Sequence, residues 1–428
     1  MSHHKPYPAY RDSGVEWIGR VPEHWETARI KRHASIRTER RSDVSADAIY
    51  IGLEDVEAES GQYRPTNGNS RQTEDSTVGI FYKNDVLYGK LRPYLRKAIV
   101  AEMDGACSTE FLVLRTGDTL PRWLHQWLLT PDVTQQIEAG CEGAKMPRAD
   151  WEHVGSIEMP SPSTEEQAQI ISSLDRETAR IDALITKKTR FIELLKEKRH
   201  SLIDHAVTKG LNLDATMRDS EVDWLGEIPA HWEVRRMASI FREAIRPGDQ
   251  SLPILSISIH DGITDEEVAP EDRDRRVSQI EDRTKYKRVA PNDLAYNMMR
   301  AWQGAFGAVT VDGLVSPAYV VAEPMIEIRT AYIENLLRTP MAIEEMRRYS
   351  RGIADFRMRL YWDYFRDLKV CLPPLEEQDK ILDMITRETS RIDRLTEKTQ
   401  RSIDLLKERR AAFITAAVTG QIDLRESA

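Results

Sequence analysis

The chain has 428 residues, 40% of them hydrophobic and 31% charged, with a formal net charge of −9. That length can bury two or three full-sized cores, and the composition is that of an ordinary soluble globular protein. It excludes a disordered or collagen-like chain, and no apolar run reaches the roughly 18 residues of a membrane helix.

The first residues lack the apolar core of a signal peptide, so a cytoplasmic protein is expected. The three cysteines, Cys107, Cys141 and Cys371, are scattered. They offer neither a disulfide framework nor a metal spacing. Net acidity argues mildly against nucleic acid, although phosphate contacts need only a local basic face.

The first element is a motif that returns. Asp12-Ser13-x-Val15-x-Trp17-x-Gly19-x-x-Pro22-x-His24-Trp25-Glu26 recurs as Asp219-Ser220-x-Val222-x-Trp224-x-Gly226-x-x-Pro229-x-His231-Trp232-Glu233. His24 and His231 each lie in a Pro-x-His-Trp turn, where packing is a simpler role than ligand binding. Residues 1–158 then read as a mixed α/β domain. Alternation and β-branched content point to strands over 48–53, 85–88 and 111–114, followed by a helix over Trp123–Leu129.

Residues 159–210 form a separate segment with a helix from about 163 to 209. Pro160-Ser161-Pro162 precedes it, and Glu165-Glu166-Gln167 fills its first turn. Proline is tolerated there, and acid favours the positive end of the helix dipole. Capping explains these carboxylates more simply than acid–base catalysis. Ile171, Leu174, Thr178, Ile181, Ile185, Lys188, Ile192, Leu195, Arg199, Leu202 and Ala206 step by threes and fours, which is a coiled-coil seam.

Residues 211–372 read as a second α/β domain, with strands over 252–257 and 319–321 and a helix over Tyr332–Met346. The chain closes in 373–428 with a helix from about 374 to 419. Residues 165–208 and 376–419 align without a gap and are identical at 23 of 44 positions. The second seam is Leu382, Ile385, Thr389, Ile392, Thr396, Thr399, Ile403, Leu406, Arg410, Phe413 and Ala417. At 1.5 Å per residue each helix is ~66 Å long. An intramolecular antiparallel pair is expected, with polar positions such as Thr178/Thr389 and Arg199/Arg410 fixing register. The expected fold class is mixed α/β: two similar domains in pseudo-twofold arrangement, separated by two long antiparallel coiled-coil helices.

The two domains align only at anchors. Asn84-Asp85-Val86-Leu87-Tyr88 matches Asn292-Asp293-Leu294-Ala295-Tyr296, and Gly105-x-Cys107-Ser108-x-x-Phe111 matches Gly313-x-Val315-Ser316-x-x-Tyr319. A shared scaffold with different loops is what two binding domains for different targets show.

The sequence holds no phosphate-binding Gly-x-x-x-x-Gly-Lys-Ser/Thr and no glycine-rich turn for a dinucleotide or S-adenosylmethionine. The Asn/Asp-Pro-Pro-aromatic motif of amino methyltransferases and zinc spacings are also absent. Basic clusters supply the DNA-binding candidates instead. In the first domain they are Arg37, Arg40, Arg41, Lys90, Arg92, Arg96, Lys145 and Arg148. In the second they are Arg273, Arg275, Arg300, Gln303, Arg351, Arg357 and Arg359. Arginine can read guanine bidentately and glutamine adenine, whereas lysine more often holds phosphate. Any one cluster alone is more often a solvated face than a binding site. On the helices, Glu193, Lys196, Asp404 and Lys407 lie off the seam and are candidates for binding partner subunits.

The chain resembles the specificity subunits of type I restriction–modification enzymes over nearly its full length. The resemblance rests on the duplicated Trp-x-Gly-x-x-Pro-x-His-Trp motif and on Gly89-Lys90-Leu91-Arg92-Pro93-Tyr94-Leu95. It rests also on the Pro-x-x-x-Glu-Gln helix starts at Pro162 and Pro373, and on the Ile-Asp…Leu-Leu-Lys-Glu-Arg/Lys-Arg helix body. It implies two target recognition domains reading a split site on double-stranded DNA. It implies two modification subunits that methylate adenine, and restriction subunits that translocate and cut. S-adenosylmethionine, ATP and magnesium would then sit on those partners, with no cofactor and no catalysis on this chain. One departure stands out: Tyr296-Asn297-Met298-Met299-Arg300 replaces Tyr88-Gly89-Lys90-Leu91-Arg92, so only the arginine carries over. The rival readings are a stand-alone nuclease or methyltransferase, and a coiled-coil scaffold that binds no DNA.

Overall fold

The structure, a computed structural model, describes residues 5–45, 48–65, 77–141, 146–259, 262–267, 282–352 and 358–425. The chain divides into two compact units, Met1–Thr189 with Arg401–Ala428, and Arg190–Gln400. Each unit holds part of both long helices, Thr164–Lys209 and Leu375–Val418.

The first unit opens with a hairpin, Tyr10–Asp12 against Arg20–Pro22. Its loop closes through Ser13 N–H donating to the Gly19 carbonyl (3.0 Å), with Gly19 at φ 68°, a conformation that favours glycine. A four-stranded antiparallel sheet follows, in the order Ala34–Ile36, Phe111–Thr116, Val86–Gly89, Ala98–Val100. Its inner face meets Trp25, Trp123 and Trp127, and Ile170 and Leu174 of the first long helix close the same core. A second sheet, Arg40–Arg41, Val78–Phe81, Gly105–Cys107 and Tyr50–Ile51, is mixed, with its last pair parallel.

The second unit repeats the first sheet strand for strand: Phe241–Glu243, Tyr319–Pro324, Leu294–Asn297, Phe306–Ala308. The register repeats too, with Tyr319 opposite Asn297 as Phe111 is opposite Gly89. The second sheet repeats only in outline. Lys287–Val289 pairs with Gly313–Val315 as Val78–Phe81 pairs with Gly105–Cys107. The outer strands are reduced to single bridges, Pro247 with Lys287 (antiparallel) and Ile254 with Leu314 (parallel), and a short hairpin, Ile257–Ser258 with Gly262–Ile263, is added.

Three expected elements differ. The helix over Tyr332–Met346 is two helices, Thr330–Leu337 and Pro340–Tyr349. Pro340 cannot donate into a continuing helix, and Thr339 Oγ1 caps the new one through Ala342 N–H (3.3 Å). The first unit breaks in the same way, with Pro121–Leu128 followed by Pro131–Ala139. The strand over 252–257 divides: Ile254 makes a parallel bridge to Leu314, with Leu314 N–H donating to the Pro253 carbonyl and Leu255 N–H to the Leu314 carbonyl (both 2.8 Å), and Ile257–Ser258 pairs separately. The strand over 48–53 is only Tyr50–Ile51 before a 3-10 turn, Leu53–Asp55, whose Asp55 carboxylate accepts Gly52 N–H (2.8 Å).

The long helices match the expected bounds closely, and none of the seam positions is exposed. Within the first unit Arg410 Nε lies 3.0 Å from Asp182; within the second Arg199 Nε lies 3.6 Å from Asp393. The residues of these two pairs occupy matched positions with the helices exchanged. In the first unit Ile171 and Leu174 share a core with Ala417 and Val418, and in the second Ala206 and Val207 share one with Ile381 and Ile385. In each unit the start of one helix therefore packs on the end of the other, antiparallel as expected. The threonines do not set register. Thr178 and Thr389 hydroxyls donate back to the carbonyls of Leu174 (2.7 Å) and Ile385 (2.8 Å) in their own helices.

Candidate nucleic-acid interface

The residues repeated most faithfully build the frame. His24 Nε2 contacts Glu166 Oε2 at 2.8 Å, and Trp25 Nε1 donates to Glu166 Oε1 at 3.1 Å. The next residue, Gln167, accepts Leu120 N–H at 2.9 Å. In the second unit His231 meets Glu377 at 2.7 Å and Gln378 accepts Arg329 N–H at 2.9 Å. The acidic helix start thus latches the opening motif to the long helix, which is more than capping. His24 and His231 serve this latch.

Arg37, a DNA candidate, belongs to the frame as well. It bridges Asp85 through Nε (2.8 Å) and Nη2 (3.2 Å), with only 22% of its own side chain and 4% of the aspartate's exposed. Its guanidinium also stacks 4.5 Å from the Tyr82 ring centre. The bond to Asp85 holds the arginine further above its ordinary range. The second unit repeats the pair as Arg246 with Asp293, and Glu323 joins it. Arg246 escaped the sequence reading because it lies outside any basic cluster; its only signal was the matched aspartate 47 residues on. Arg96 is likewise drawn inward, onto Glu59 at 2.6 Å. Arg41 pairs with neighbouring Glu39 at 2.6 Å, while Arg40 stands exposed on the edge of the second sheet.

The remaining candidates come together on one backbone feature in each unit. Beyond strand Val86–Gly89, Ala149 N–H donates to the Lys90 carbonyl (2.8 Å) and Arg92 N–H to the Pro147 carbonyl (2.9 Å). This clasp sets Lys90 and Arg92 beside Arg148, whose own partner is Glu110 at 2.9 Å. Arg92 makes no hydrogen bond or ion pair through its side chain among the described residues, and Tyr94 beside it is exposed. In the second unit Leu360 N–H donates to the Met298 carbonyl (2.9 Å) in the matching place. Arg300 and Arg359 therefore occupy the positions of Arg92 and Arg148.

Around that second clasp, aromatic rings alternate with cations. Arg347 lies 5.3 Å over Trp302 and Arg351 4.8 Å over Tyr364. Arg359 reaches the Met299 sulfur at 3.9 Å, and Tyr361 and Gln303 are exposed alongside. Cations with stacking surfaces suit a polyanion that carries flat bases. The exposed aromatics Tyr94, Tyr361 and Tyr364 were missed by a search on charge, although their alternation with arginine was visible in the sequence. Lys145, Arg273, Arg275 and Arg357 lie outside the described residues.

The partner-binding candidates lie on exposed helix faces. Glu193 bonds Arg190 at 2.8 Å within its own helix, while Lys196 makes no hydrogen bond or ion pair among the described residues. Asp404 and Lys407 are exposed at the matched positions of the second helix. Large apolar side chains flank them: Leu184 and Leu395 are 42% and 39% exposed, and Leu194 and Leu405 46% and 60%. These too are matched pairs. Among the described residues no group of three or more histidines, cysteines or carboxylates is placed to hold a metal ion, and no helix is long and apolar enough to cross a membrane.

No family model matches the chain. It is 25% identical over 187 residues to the type I restriction enzyme EcoDI specificity subunit of Escherichia coli, covering 42% of this chain and 41% of that one. It is 29% identical over 104 residues to the type I restriction enzyme MjaVIII specificity subunit of Methanocaldococcus jannaschii, covering 24% and 23%. The matches thus span less than half the length of either relative. Two solved structures share the fold more completely. One comes from work on complex assembly and conformational transition of the type I R-M system (TM-score 0.67, 18% identity, 93% of this chain and 98% of that one). The other is the HsdS subunit from Thermoanaerobacter tengcongensis (TM-score 0.53, 17% identity, 94% and 98%).

Proposed function

We propose that this relative of the type I restriction–modification specificity subunits reads a split site on double-stranded DNA, one half with each unit, for partners that do the chemistry. The carrying observation is the repeated frame with two unlike faces. Both units keep the same sheet, latch and clasp, yet the side chains around the clasp differ almost completely. One target for both halves would not need different faces; two half-sites would.

The reading assigns residues 1–158 and 211–372 to target recognition, and 159–210 and 373–428 to the helices that connect and space them. With half-site centres on one face of the duplex, the spacing is about one helical turn, roughly 10 base pairs. Each target adenine must leave the stack to be methylated, so a modification subunit has to be held close to each half-site. The matched leucines, with Glu193, Lys196, Asp404 and Lys407, supply two like docking faces on the helices, which suits two modification subunits. Restriction subunits join through that complex. S-adenosylmethionine, ATP and magnesium belong to those partners, this chain is non-catalytic, and it works in the cytoplasm.

Adenine-methylation mapping tests this in cells expressing the chain with its modification subunit. A motif of two short blocks around a fixed unspecified gap is the expected result. A short continuous motif would sink the two-reader account. Absence of methylation from a folded complex that also binds no duplex would favour a scaffold instead.

A further inference from the structure

We propose that Arg92 and Arg148 in the first unit, and Arg300 and Arg359 in the second, form the same sequence-independent phosphate clamp, leaving the half-site to be read by side chains the units do not share. This deepens the function proposed above and rests on it.

The comparison between the two clasps carries the assignment. Gly89-Lys90-Leu91-Arg92-Pro93-Tyr94-Leu95 faces Asn297-Met298-Met299-Arg300-Ala301-Trp302-Gln303, and only the arginine is the same. Pro147-Arg148-Ala149-Asp150 faces Met358-Arg359-Leu360-Tyr361, and again only the arginine is the same. The backbone bond that brings the two stretches together is repeated, Ala149 N–H to Lys90 and Leu360 N–H to Met298. A residue that both readers keep, amid neighbours that both change, recognises what any two half-sites have in common. Every duplex shares its phosphates; bases are what differ.

The backbone shows that the arginine is kept by different means. Arg92 is left-handed at φ 53° and ψ 64°, immediately before Pro93. That is a doubly disfavoured conformation for a residue with a Cβ. Two bonds hold it, Arg92 N–H to Pro147 and Leu95 N–H to Arg92. Strain of this kind persists where the surroundings enforce it and gathers at functional positions. Arg300 takes the matching place at φ −124°, and each arginine directly precedes one turn of 3-10 helix, Pro93–Leu95 and Ala301–Gln303. The second arginine is tuned differently. Glu110 holds Arg148, whereas Ala318 occupies the matched position in the second unit, and the Arg359 side chain reaches the Met299 sulfur instead.

The test is duplex binding by the full chain in complex with its modification subunits, measured across a salt series on cognate and unrelated DNA. Arg92→Ala and Arg300→Ala should weaken both duplexes by the same factor. Each should flatten the slope of log affinity against log salt by about 0.9, the loss of one phosphate contact. Arg92→Lys and Arg300→Lys should restore most of the slope, which also separates lost contact from lost folding. The methylated motif should not change. A loss confined to cognate DNA, an altered motif, or an unchanged slope would overturn the clamp. Failure of the wild-type complex to bind any duplex would instead overturn the function proposed above, and would show before any variant is made.

Discussion

Helix Pro121–Leu128 of the first unit and Thr330–Leu337 of the second pack on the same edge of the same sheet. At one matched position they carry opposite ionisable groups. His125 Nε2 donates to the Ala98 carbonyl at 3.0 Å, and its Nδ1 has no partner. Glu334 instead accepts Ala308 N–H at 2.9 Å and pairs with Arg338 at 3.0 Å. Duplication preserved the location of the bond to the edge strand and let its polarity reverse. The same division runs through both units: packing and latches repeat, and most of the side chains around the clasps have drifted.

Removing the repeated parts should therefore hurt the two units alike. Trp25 and Trp232 are both buried beside their latches, although only Trp25 bonds to the helix-start glutamate. Trp25→Ala and Trp232→Ala should each cost about 3–5 kcal/mol in urea unfolding. A loss in only one of them would mean that the latches are not equivalent. Asp85→Ala and Asp293→Ala come next. The first strands the half-buried Arg37 and should cost about 3 kcal/mol, whereas Arg246 keeps Glu323 and the second should cost less. If these variants kept full stability but lost DNA affinity, Arg37 would be a DNA contact after all.

The seam pairs are less buried. Arg410→Ala and Arg199→Ala should each cost roughly 1 kcal/mol. The charge-reversed pair Asp182→Arg with Arg410→Asp should recover part of that loss, and a double-mutant cycle would register zero coupling if the contact were incidental.

Acid sharpens the contrast between His125 and Glu334. Burial pushes His125 down to about 4, so its neutral form is favoured in the fold. Its contribution is intact above the ordinary value of 6.5 and is lost as pH falls from there through about 4. Burial pushes Glu334 up, so the opposite holds: falling pH relieves a buried charge and favours the fold. Hydrogen exchange compared at about pH 7 and pH 5 should show weakened protection in helix 121–128 and none lost in 330–337. Equal weakening in both would contradict the assignment.

Periodicity made the long helices legible, because a seam of threes and fours repeated over two matched segments leaves little choice of structure. Short apolar runs were less informative. The stretch 252–257 looked like one strand, yet it is a single parallel bridge, Ile254 with Leu314, followed by the short strand Ile257–Ser258. Charge was the least reliable guide to the site. Arg37 and Arg96 read as basic surface because their carboxylates, Asp85 and Glu59, come from distant parts of the chain. The clasp itself depends on backbone bonds between residues far apart in the chain, such as Lys90 with Ala149, 59 positions on, and no local pattern announces such a meeting. Its arginines were nevertheless visible as the few identities in otherwise unmatched stretches.

The most direct test of two unlike readers on one repeated frame is an exchange of residues 27–158 for the corresponding stretch of a relative with a different target. Methylation mapping should then show one half of the motif replaced while the other half and the gap stay as they were. A change in both halves, or in neither, would contradict the account.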